Sequence, residues 1–370
     1  MTSPRRRRLV LGVLALGLAC AGGLLSGQPR SEPPFASRIE QFSEPGGYFD
    51  TDNLISNERS YLHPLDALRQ EGVSGGVYIG VGPDQNFSYI AQIRPAIAFI
   101  VDIRRDNMLL HLLFKALFVL SEDRADYLSL LFARPPPEDW RGESRSGWRR
   151  AGIDDLVAYV DANPASERWS ESVRARVDAS IERFGVPLTR RDFDTVDRFH
   201  RRFIAAGLSL KFQSTGRMPR RDYPSYRDLL LETDRGGRQR SFLADEESFQ
   251  FLKSLQAADL VLPLVGNLAG DRALASIAGF MRGRNERLSA FYTSNVELYL
   301  AQDGLLPRFL DNLAGLPHDD RSVIIRSVFR TATPETLPGY YSTSLHRSVA
   351  ALLDDYRQGR IRAYWSLVDR

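Results

Sequence analysis

The chain has 370 residues, 43% of them hydrophobic and 26% charged, so it can bury the core of one large α/β domain or two smaller ones. Its net charge of +3 comes from five arginines in the first thirty residues, so the remaining chain is slightly acidic and lacks the basic field typical of nucleic-acid binding. Cys20 is the single cysteine, which excludes an internal disulfide and a thiolate zinc site, and the five histidines show no ligand spacing. We therefore expect no metal.

The first 34 residues are predicted to be an export signal or membrane anchor followed by a tether. Four adjacent arginines precede an apolar stretch at residues 9–25, and the paired arginines are compatible with a twin-arginine signal. Three outcomes fit this pattern: cleavage near Ala21, lipidation of Cys20, or an uncut anchor in the inner membrane. All three place the body, residues 35–370, outside the cytoplasm.

The next informative stretch has the pattern of a strand, a glycine turn, a helix and a second strand. Residues 77–79 are β-branched or aromatic, and Gly80 and Gly82 permit a tight turn with a close backbone approach. A continuous apolar run at residues 96–101 predicts a second strand, buried on both faces, which ends at Asp102. In nucleotide-binding βαβ units, an acid at this position accepts hydrogen bonds from ribose hydroxyls.

The helix of this unit is predicted to start after Asp84, which is placed to cap it. Its first amides would face a ligand, as at other helix starts. Gln85 occupies the third glycine position of the G-x-G-x-x-G fingerprint, which argues against a dinucleotide and less against S-adenosylmethionine, a ligand without phosphate. The alternative is an ordinary strand-turn-helix corner with a surface aspartate. The predicted cofactor-binding residues of this unit are Gly80, Gly82, Gln85, Asn86 and Asp102.

Farther along the chain, helical patterns dominate. A buried helix is predicted at residues 109–120, and its His111 is interpreted as a core histidine. Residues 134–150 are predicted to be a loop whose tryptophans either pack on the body or cover a ligand. Helices are expected at 153–208, within a helical insertion at about 122–232 that either caps the site or acts as a buttress.

A second glycine-containing loop is predicted at residues 233–241, before a helix that Asp245 caps and that runs to about residue 258. Arg238 and Arg240 in this loop can bind a carboxylate or phosphate group of a substrate. The alternative is a solvated basic loop.

Further strands are predicted at residues 260–265, 288–293 and 323–329, with helices at 272–282 and 344–356. Because ligands of open α/β sheets bind beyond the carboxyl ends of the strands, we add the polar residues at those ends to the candidate site. Asn267 is a candidate ligand-binding residue, Glu297 a candidate general base and Asn295 a candidate orienting group. The alternative for the last two is that they hold the turn or cap the next helix.

Five phrases of the sequence resemble a bacterial family of uncharacterised proteins whose fold is similar to class I methyltransferases that use S-adenosylmethionine. The resemblance covers residues 56–330 and rests on the phrases GVGPDQNFSYIAQIRP, AFIVDIRRDNMLLHLLFKALFVLSEDRADYLSLLFARP, TDRGGRQRSFLADEESFQFLKSLQ, LPLVGNLAG and AFYTSNVELYL. It implies that Gly80 and Gly82 are the ligand-loop glycines and that Asp102 is the ribose acid. Asn267 stands where an aspartate is expected in the family's fourth-strand phrase, which argues against a carboxylate role there.

The expected fold is therefore an α/β, Rossmann-like domain with a mostly parallel sheet, helices on both faces and a helical insertion. The expected function is that of a protein similar to methyltransferases, which binds S-adenosylmethionine as a small-molecule ligand and acts on an unidentified acceptor. The alternative is a non-catalytic, exported or membrane-anchored binding or scaffold protein on the same fold. The export prediction favours this alternative, because S-adenosylmethionine is a cytoplasmic metabolite and an exported enzyme would normally lack it. The sequence contains no G-x-S-x-G, P-loop or H-E-x-x-H motif.

Overall fold

The two strands predicted around the glycine turn lie side by side near the middle of a six-stranded sheet. The computed structural model describes residues 34–136, 143–214, 220–329 and 333–368, and the predicted signal or anchor and Trp140 lie outside these ranges. The strands are β1 (Val77–Gly80), β2 (Ile97–Asp102), β3 (Val261–Val265), β4 (Leu288–Ser294), β5 (Val323–Phe329) and β6 (Ser342–Ser348). Their order across the sheet is β3-β2-β1-β4-β5-β6. The first five are parallel and β6 runs antiparallel to β5.

Helices flank this sheet, so the described chain has an α/β architecture with a mostly parallel sheet. In chain order they are α1 (Phe35–Phe42), α2 (Leu65–Gln70), α3 (Gln85–Ile93), α4 (Arg105–Leu120), α5 (Arg124–Phe132), α6 (Glu143–Arg150), α7 (Ile153–Ala162), α8 (Glu167–Arg183), α9 (Arg190–Ala206), α10 (Tyr226–Leu230), α11 (Glu246–Ala257), α12 (Ala273–Gly283), α13 (Val296–Gln302), α14 (Leu306–Ala314), α15 (Val349–Arg357) and α16 (Trp365–Val368). Across the described ranges, none is both long and apolar enough to span a bilayer.

The central strands are apolar without alternation because helices cover both of their faces. Every residue of β1 and β3 is buried, and so is every residue of β2 except Asp102. Strand β3 contains Pro263, which has no amide hydrogen to donate, and accordingly β3 lies at an edge of the sheet. The phrase that holds Asn267 follows β3, the third strand along the described chain, so its assignment to a fourth strand is wrong.

The connection from β2 to β3 is long and helical in its described parts. The predicted insertion at about 122–232 contains α5 to α10. Helix α4 is buried on nearly all its faces because α8, α9 and α11 pack around it. Lys115 of α4 is buried, pairs with Asp259 at 2.7 Å and lies 4.5 Å from the ring centroid of Phe35. This side chain thus ties α4 to α1 and to the start of β3.

Two predicted elements differ in the structure. The last part of the predicted loop at 134–150 is helix α6, and its Trp148 is half-buried with its ring centroid 5.5 Å from that of Tyr159. Trp148 therefore packs on the body. The predicted helix at 344–356 is a strand followed by a helix, β6 and α15, and Ser348 caps the helix by accepting a hydrogen bond from the amide of Ala351 at 3.4 Å.

An irregular segment, residues 43–58, crosses the carboxyl ends of the strands before the chain enters α2. Its backbone is fixed by amide hydrogen bonds from Glu44 to Val265 O (2.9 Å) and from Gly47 to Ile103 O (2.7 Å). Arg104 donates to Thr51 O at 2.9 Å. These contacts hold the segment over the end of the sheet, and we call it the covering segment.

Candidate functional site

A cavity of about 240 Å³ lies between the covering segment and the carboxyl ends of β1 to β4. Its lining includes the exposed side chain of Tyr48 and the edge-to-face pair of Phe49 and Tyr299, whose ring centroids are 4.8 Å apart. The polar and charged residues that line it are Tyr48, Thr51, Asn53, Ser56, Asn57, Glu58, Gln85, Asp102, Arg104, Asn267, Ser294, Asn295, Tyr299 and Asp303.

The structure brings five of the eight predicted site residues to this cavity. They come from four strand ends and from the first turn of α3: Gly82, Gln85, Asp102, Asn267 and Asn295. The other three predicted residues, Gly80, Asn86 and Glu297, do not line it. Parallel strands that end at one edge of the sheet explain why residues far apart in sequence meet here.

Gly82 forms the tight turn that was predicted after β1. Its φ of +79° is in the left-handed region that favours glycine, and a Cβ there would lie 3.2 Å from Gln85 Nε2 and 3.4 Å from Asn53 Nδ2. The Gly82 carbonyl is 2.9 Å from His111 Nε2. Burial lowers the pKa of His111 to about 4, so the imidazole is neutral at neutral pH, and Nε2 donates to this carbonyl. His111 braces the turn from the core.

Gly80 and Asn86 support the same turn from behind the cavity. Asn86 Nδ2 donates to Val81 O at 2.8 Å and to Pro83 O at 2.7 Å, and its Oδ1 accepts from the hydroxyl of Tyr78 at 2.8 Å. A Cβ at Gly80 would overlap Asn86 Oδ1. These two residues therefore shape the loop, and they do not face the cavity as predicted.

Asp84 precedes α3, as predicted, but its side chain does not cap the helix. The carboxyl group turns into the core, where Oδ2 accepts a hydrogen bond from the Tyr226 hydroxyl at 2.5 Å. Burial raises the pKa of Asp84 to about 7.

Asp102 ends β2 at the cavity wall, and its carboxylate already has a partner. Arg104 donates from Nε to Oδ1 at 3.1 Å and from Nη2 to Oδ2 at 2.9 Å, and its backbone amide also reaches Oδ1 at 2.9 Å. Both side chains are about nine-tenths buried. Oδ1 thus accepts two hydrogen bonds and Oδ2 one, so one accepting position on Oδ2 remains for a ligand beside Arg104.

The two asparagines at the other strand ends differ in how firmly they are held. The side-chain oxygen Oδ1 of Asn267 accepts a hydrogen bond from the backbone amide of Ala269 at 2.9 Å. The backbone amide of Asn267 donates to Glu44 Oε1 at 2.6 Å. Asn295 precedes α13 without capping it. Both side chains are half-buried, so their amide groups remain accessible from the cavity.

Glu297, the predicted general base, is directed away from the cavity. It is fully buried, and Arg326 donates to it from Nε at 2.7 Å and from Nη2 at 3.1 Å. The Arg326 Nη1 also donates to Leu367 O at 3.2 Å. The pair thus joins α13, β5 and α16, and the candidate base for this cavity has to be sought elsewhere.

Glu58 is a buried carboxyl group of the cavity wall that the sequence analysis did not select. Its side chain accepts hydrogen bonds from the hydroxyls of Tyr292, Ser294 and Ser327, the last at 2.5 Å. Burial raises the pKa of Glu58 above its ordinary value, although these hydroxyl donors lower it in part. No local sequence pattern marks Glu58, because its partners lie at least 234 positions away.

Ser294 reaches Glu58 because of an unusual backbone conformation. Its φ is +54°, and the pairing of β4 with β5 shifts register between Tyr292 and Ser294. Non-glycine residues in the left-handed region store strain that cores elsewhere avoid, and they are concentrated at functional sites. The shift ends β4 with Ser294 and Asn295 both at the cavity.

The charges around the cavity disfavour a ligand with a free phosphate. Of the lining residues in the described ranges, Arg104 is the one with a basic side chain, and it is occupied by Asp102 and by the covering segment. Glu58, Asp102 and Asp303 supply acidic groups. Across the same ranges, no group of three or more His, Cys, Asp or Glu side chains is arranged to hold a metal ion.

The second glycine-containing loop does not extend the site. Asp234 is buried in its centre and accepts hydrogen bonds from Arg238 Nε at 3.1 Å and from Arg240 Nε at 3.2 Å. Arg238 also pairs with Asp66. The two arginines that were candidates for substrate binding therefore stabilise their own loop.

Comparison with known proteins identifies a family of unknown function. No curated protein matches the sequence. A domain of unknown function, DUF7790, matches residues 54–135 and 166–358. The matched ranges contain β1 to β6 and the Glu58 side chain, and the interval between them contains α6 and α7. Because the match extends over most of the chain, the protein belongs to the DUF7790 family.

Proposed function

We propose that the protein binds a nucleoside-type ligand in this cavity and is similar to methyltransferases that use S-adenosylmethionine. The observation that carries the proposal is the meeting of Gly82, Gln85, Asp102, Asn267 and Asn295 at one cavity beyond four parallel strands. The order β3-β2-β1-β4-β5 is that of the corresponding part of a Rossmann-like sheet, whose order reverses at the ligand site.

The charge of the site favours a ligand of this class over a dinucleotide. A pyrophosphate group needs the third glycine of the fingerprint, where this chain has Gln85, and it gains from a basic side chain that is free to pair. The cavity instead offers amides, carboxyl groups and aromatic rings. These groups suit the neutral purine and ribose and the positive sulfonium centre of S-adenosylmethionine.

Methyl transfer requires little from a protein beyond alignment of donor and acceptor, sometimes with a base for the acceptor's proton. S-adenosylmethionine would supply the methyl group. Asn295 and Asn267 are placed to orient a bound molecule, and Glu58 is a carboxyl group at the cavity that can accept a proton.

A second candidate function is a non-catalytic binding or scaffold protein on the same fold. One observation favours it: Arg104 already binds both oxygens of Asp102, and Arg326 binds both oxygens of Glu297. Two carboxylates that a catalytic site would use thus have structural partners. This candidate predicts no methyl transfer with any donor.

Calorimetry of the full chain with S-adenosylhomocysteine tests the leading proposal. We expect binding at millimolar ligand or below, and we expect Asp102→Asn to weaken it by about 1–3 kcal/mol, because a ribose hydroxyl loses a charged acceptor. Asp303→Asn is the matched control, since it removes an exposed carboxylate at the same cavity. An absence of heat at millimolar ligand would overturn the proposal, and equal affinities of the two variants would remove Asp102 from the site.

A further inference from the structure

One wall of the cavity presents two acceptor groups that are linked through a tyrosine. Gln85 Nε2 donates to the hydroxyl oxygen of Tyr292 at 3.3 Å, and this hydroxyl donates to Glu58 Oε2. Ser294 donates to the other oxygen, Glu58 Oε1. Glu58, Gln85 and Ser294 all line the cavity, and we call these three residues the Glu58 wall.

The wall has accepting positions that the protein leaves open. A carboxylate offers about four accepting positions. Oε2 of Glu58 uses two of them, for Tyr292 and Ser327, while Oε1 uses one, for Ser294, so one position on Oε1 remains. Gln85 is 6% exposed, and its carbonyl oxygen Oε1 is buried without a hydrogen-bond partner. A buried acceptor without a donor is unfavourable, and a donor from a ligand would remove this penalty.

The wall also lacks a positive charge. Glu58 is completely buried, and within the described ranges no basic side chain forms an ion pair with it. The neighbouring Arg59 pairs with Glu232 instead, at 2.7 Å, and Arg104 pairs with Asp102. Carboxylates in protein interiors are ordinarily paired with a cation or protonated. Burial raises the pKa of Glu58 and the three hydroxyl donors lower it only in part, so a cation bound at Oε1 would supply the charge compensation that these described neighbours do not.

We propose that the Glu58 wall binds a primary ammonium group of the ligand or of a second substrate. An ammonium group carries three donors, a positive charge and no acceptor, which fits two cavity-lining side chains with an open accepting position on Glu58 Oε1 and an unpartnered Gln85 Oε1. A hydroxyl group has one donor and no charge, and a carboxylate or phosphate would be repelled. The proposal rests on the proposed function for the identity of the cavity as the ligand site, and it deepens that function by naming a primary ammonium as the group that this wall recognises.

Two probes of equal shape test this proposal without a nucleoside. Saturation-transfer NMR on the full chain compares n-butylammonium with n-butanol. We expect the wild-type protein to bind n-butylammonium about tenfold more tightly or better, because hydrogen bonds to charged groups contribute about 1.5–3 kcal/mol. Glu58→Gln should bring the two affinities close together. Gln85→Met, which retains volume without the carbonyl, should reduce the preference by a smaller factor.

Controls separate the wall from general charge attraction and from misfolding. Asp320→Asn removes an exposed carboxylate that does not line the cavity and should leave the preference for n-butylammonium unchanged. If Glu58→Gln does not fold, as thermal unfolding would show, Gln85→Met carries the test alone. Equal binding of both probes by the wild type, no binding of n-butylammonium, or a preference that survives both wall variants would overturn the proposal.

Failure of this proposal and failure of the proposed function give different results. Loss of S-adenosylhomocysteine binding with a retained preference for n-butylammonium would remove the nucleoside ligand and leave the amine subsite. Binding of S-adenosylhomocysteine without any preference between n-butylammonium and n-butanol would keep the nucleoside ligand and remove the amine subsite.

Discussion

At the residue scale, Asp84 is a carboxyl group whose environment opposes ionisation. It is 4% exposed, and its side chain accepts a hydrogen bond from the neutral hydroxyl of Tyr226. Burial raises its pKa from 3.8 to about 7. The folded protein therefore holds this proton more tightly than the unfolded chain does.

We predict that the free energy of unfolding decreases as the pH rises from about 4 to about 7, through the interval between the two pKa values of Asp84. The contribution is complete below this interval and lost above it. Asp84→Asn keeps an acceptor for Tyr226 and cannot ionise. Its free energy of unfolding should therefore fall less than that of the wild type over this pH interval, by a few kcal/mol. Urea unfolding at pH 5 and pH 8 measures the difference.

The control for this prediction is Asp303→Asn, because Asp303 is exposed and its replacement should leave the pH profile of the wild type intact. Coincident profiles for the wild type and Asp84→Asn would contradict the assignment of the protonated form to Asp84.

At the element scale, the buried pair of Glu297 and Arg326 holds three elements together. Glu297 belongs to α13, Arg326 to β5, and the carbonyl of Leu367 that accepts from Arg326 belongs to α16. Removal of one charge leaves the other buried without compensation, which is far less favourable than removal of both.

We predict that Glu297→Gln lowers the free energy of unfolding by about 3–5 kcal/mol. The double variant Glu297→Leu with Arg326→Met should recover most of this loss, because both charges are then absent. Urea denaturation of the three proteins tests the prediction. A Glu297→Gln protein with unchanged stability and impaired ligand binding would instead restore Glu297 as a functional residue.

The elements themselves show where sequence patterns were sufficient. Apolar runs identified β1, β2 and β3 closely, because strands buried on both faces carry nearly uninterrupted apolar residues. Strand β6 was mistaken for part of a helix because its sequence, STSLHRS, is polar and has no clear period. Ser348, which caps α15, was the local signal that could have separated the two elements.

At the scale of the whole molecule, one rule was useful: ligands of open α/β sheets bind beyond the carboxyl ends of the strands. This rule predicted the cavity better than it predicted the roles of individual residues. It gathered Gly82, Asp102, Asn267 and Asn295, since all follow parallel strands. It could not show that Arg104 occupies Asp102, because a pairing between side chains two residues apart depends on rotamers. Nor could it find Glu58, whose hydroxyl partners come from β4 and β5.

We predict that the body is exported, with the DUF7790 part on the far side of the inner membrane. A charged start remains cytoplasmic while an apolar segment enters the bilayer and the following chain crosses. A reporter fused after Arg370 should therefore be active outside the cytoplasm. The matched control replaces Arg5 to Arg8 by glutamine, which should retain the reporter inside. Activity confined to the cytoplasm in the unaltered fusion would contradict export and favour the methyltransferase-like function.

The margins of the central sheet bear on how the protein behaves at high concentration. Exposed strand edges are templates on which a second chain can add a strand and begin aggregation. At one margin, Pro263 offers no amide hydrogen, and the covering segment already bonds to Val265 through Glu44 and Ser43. At the other margin, β6 carries His346 and Arg347, which pair with Glu71 and Asp355. Polymerisation by edge-to-edge strand addition is therefore disfavoured at both sides of the sheet.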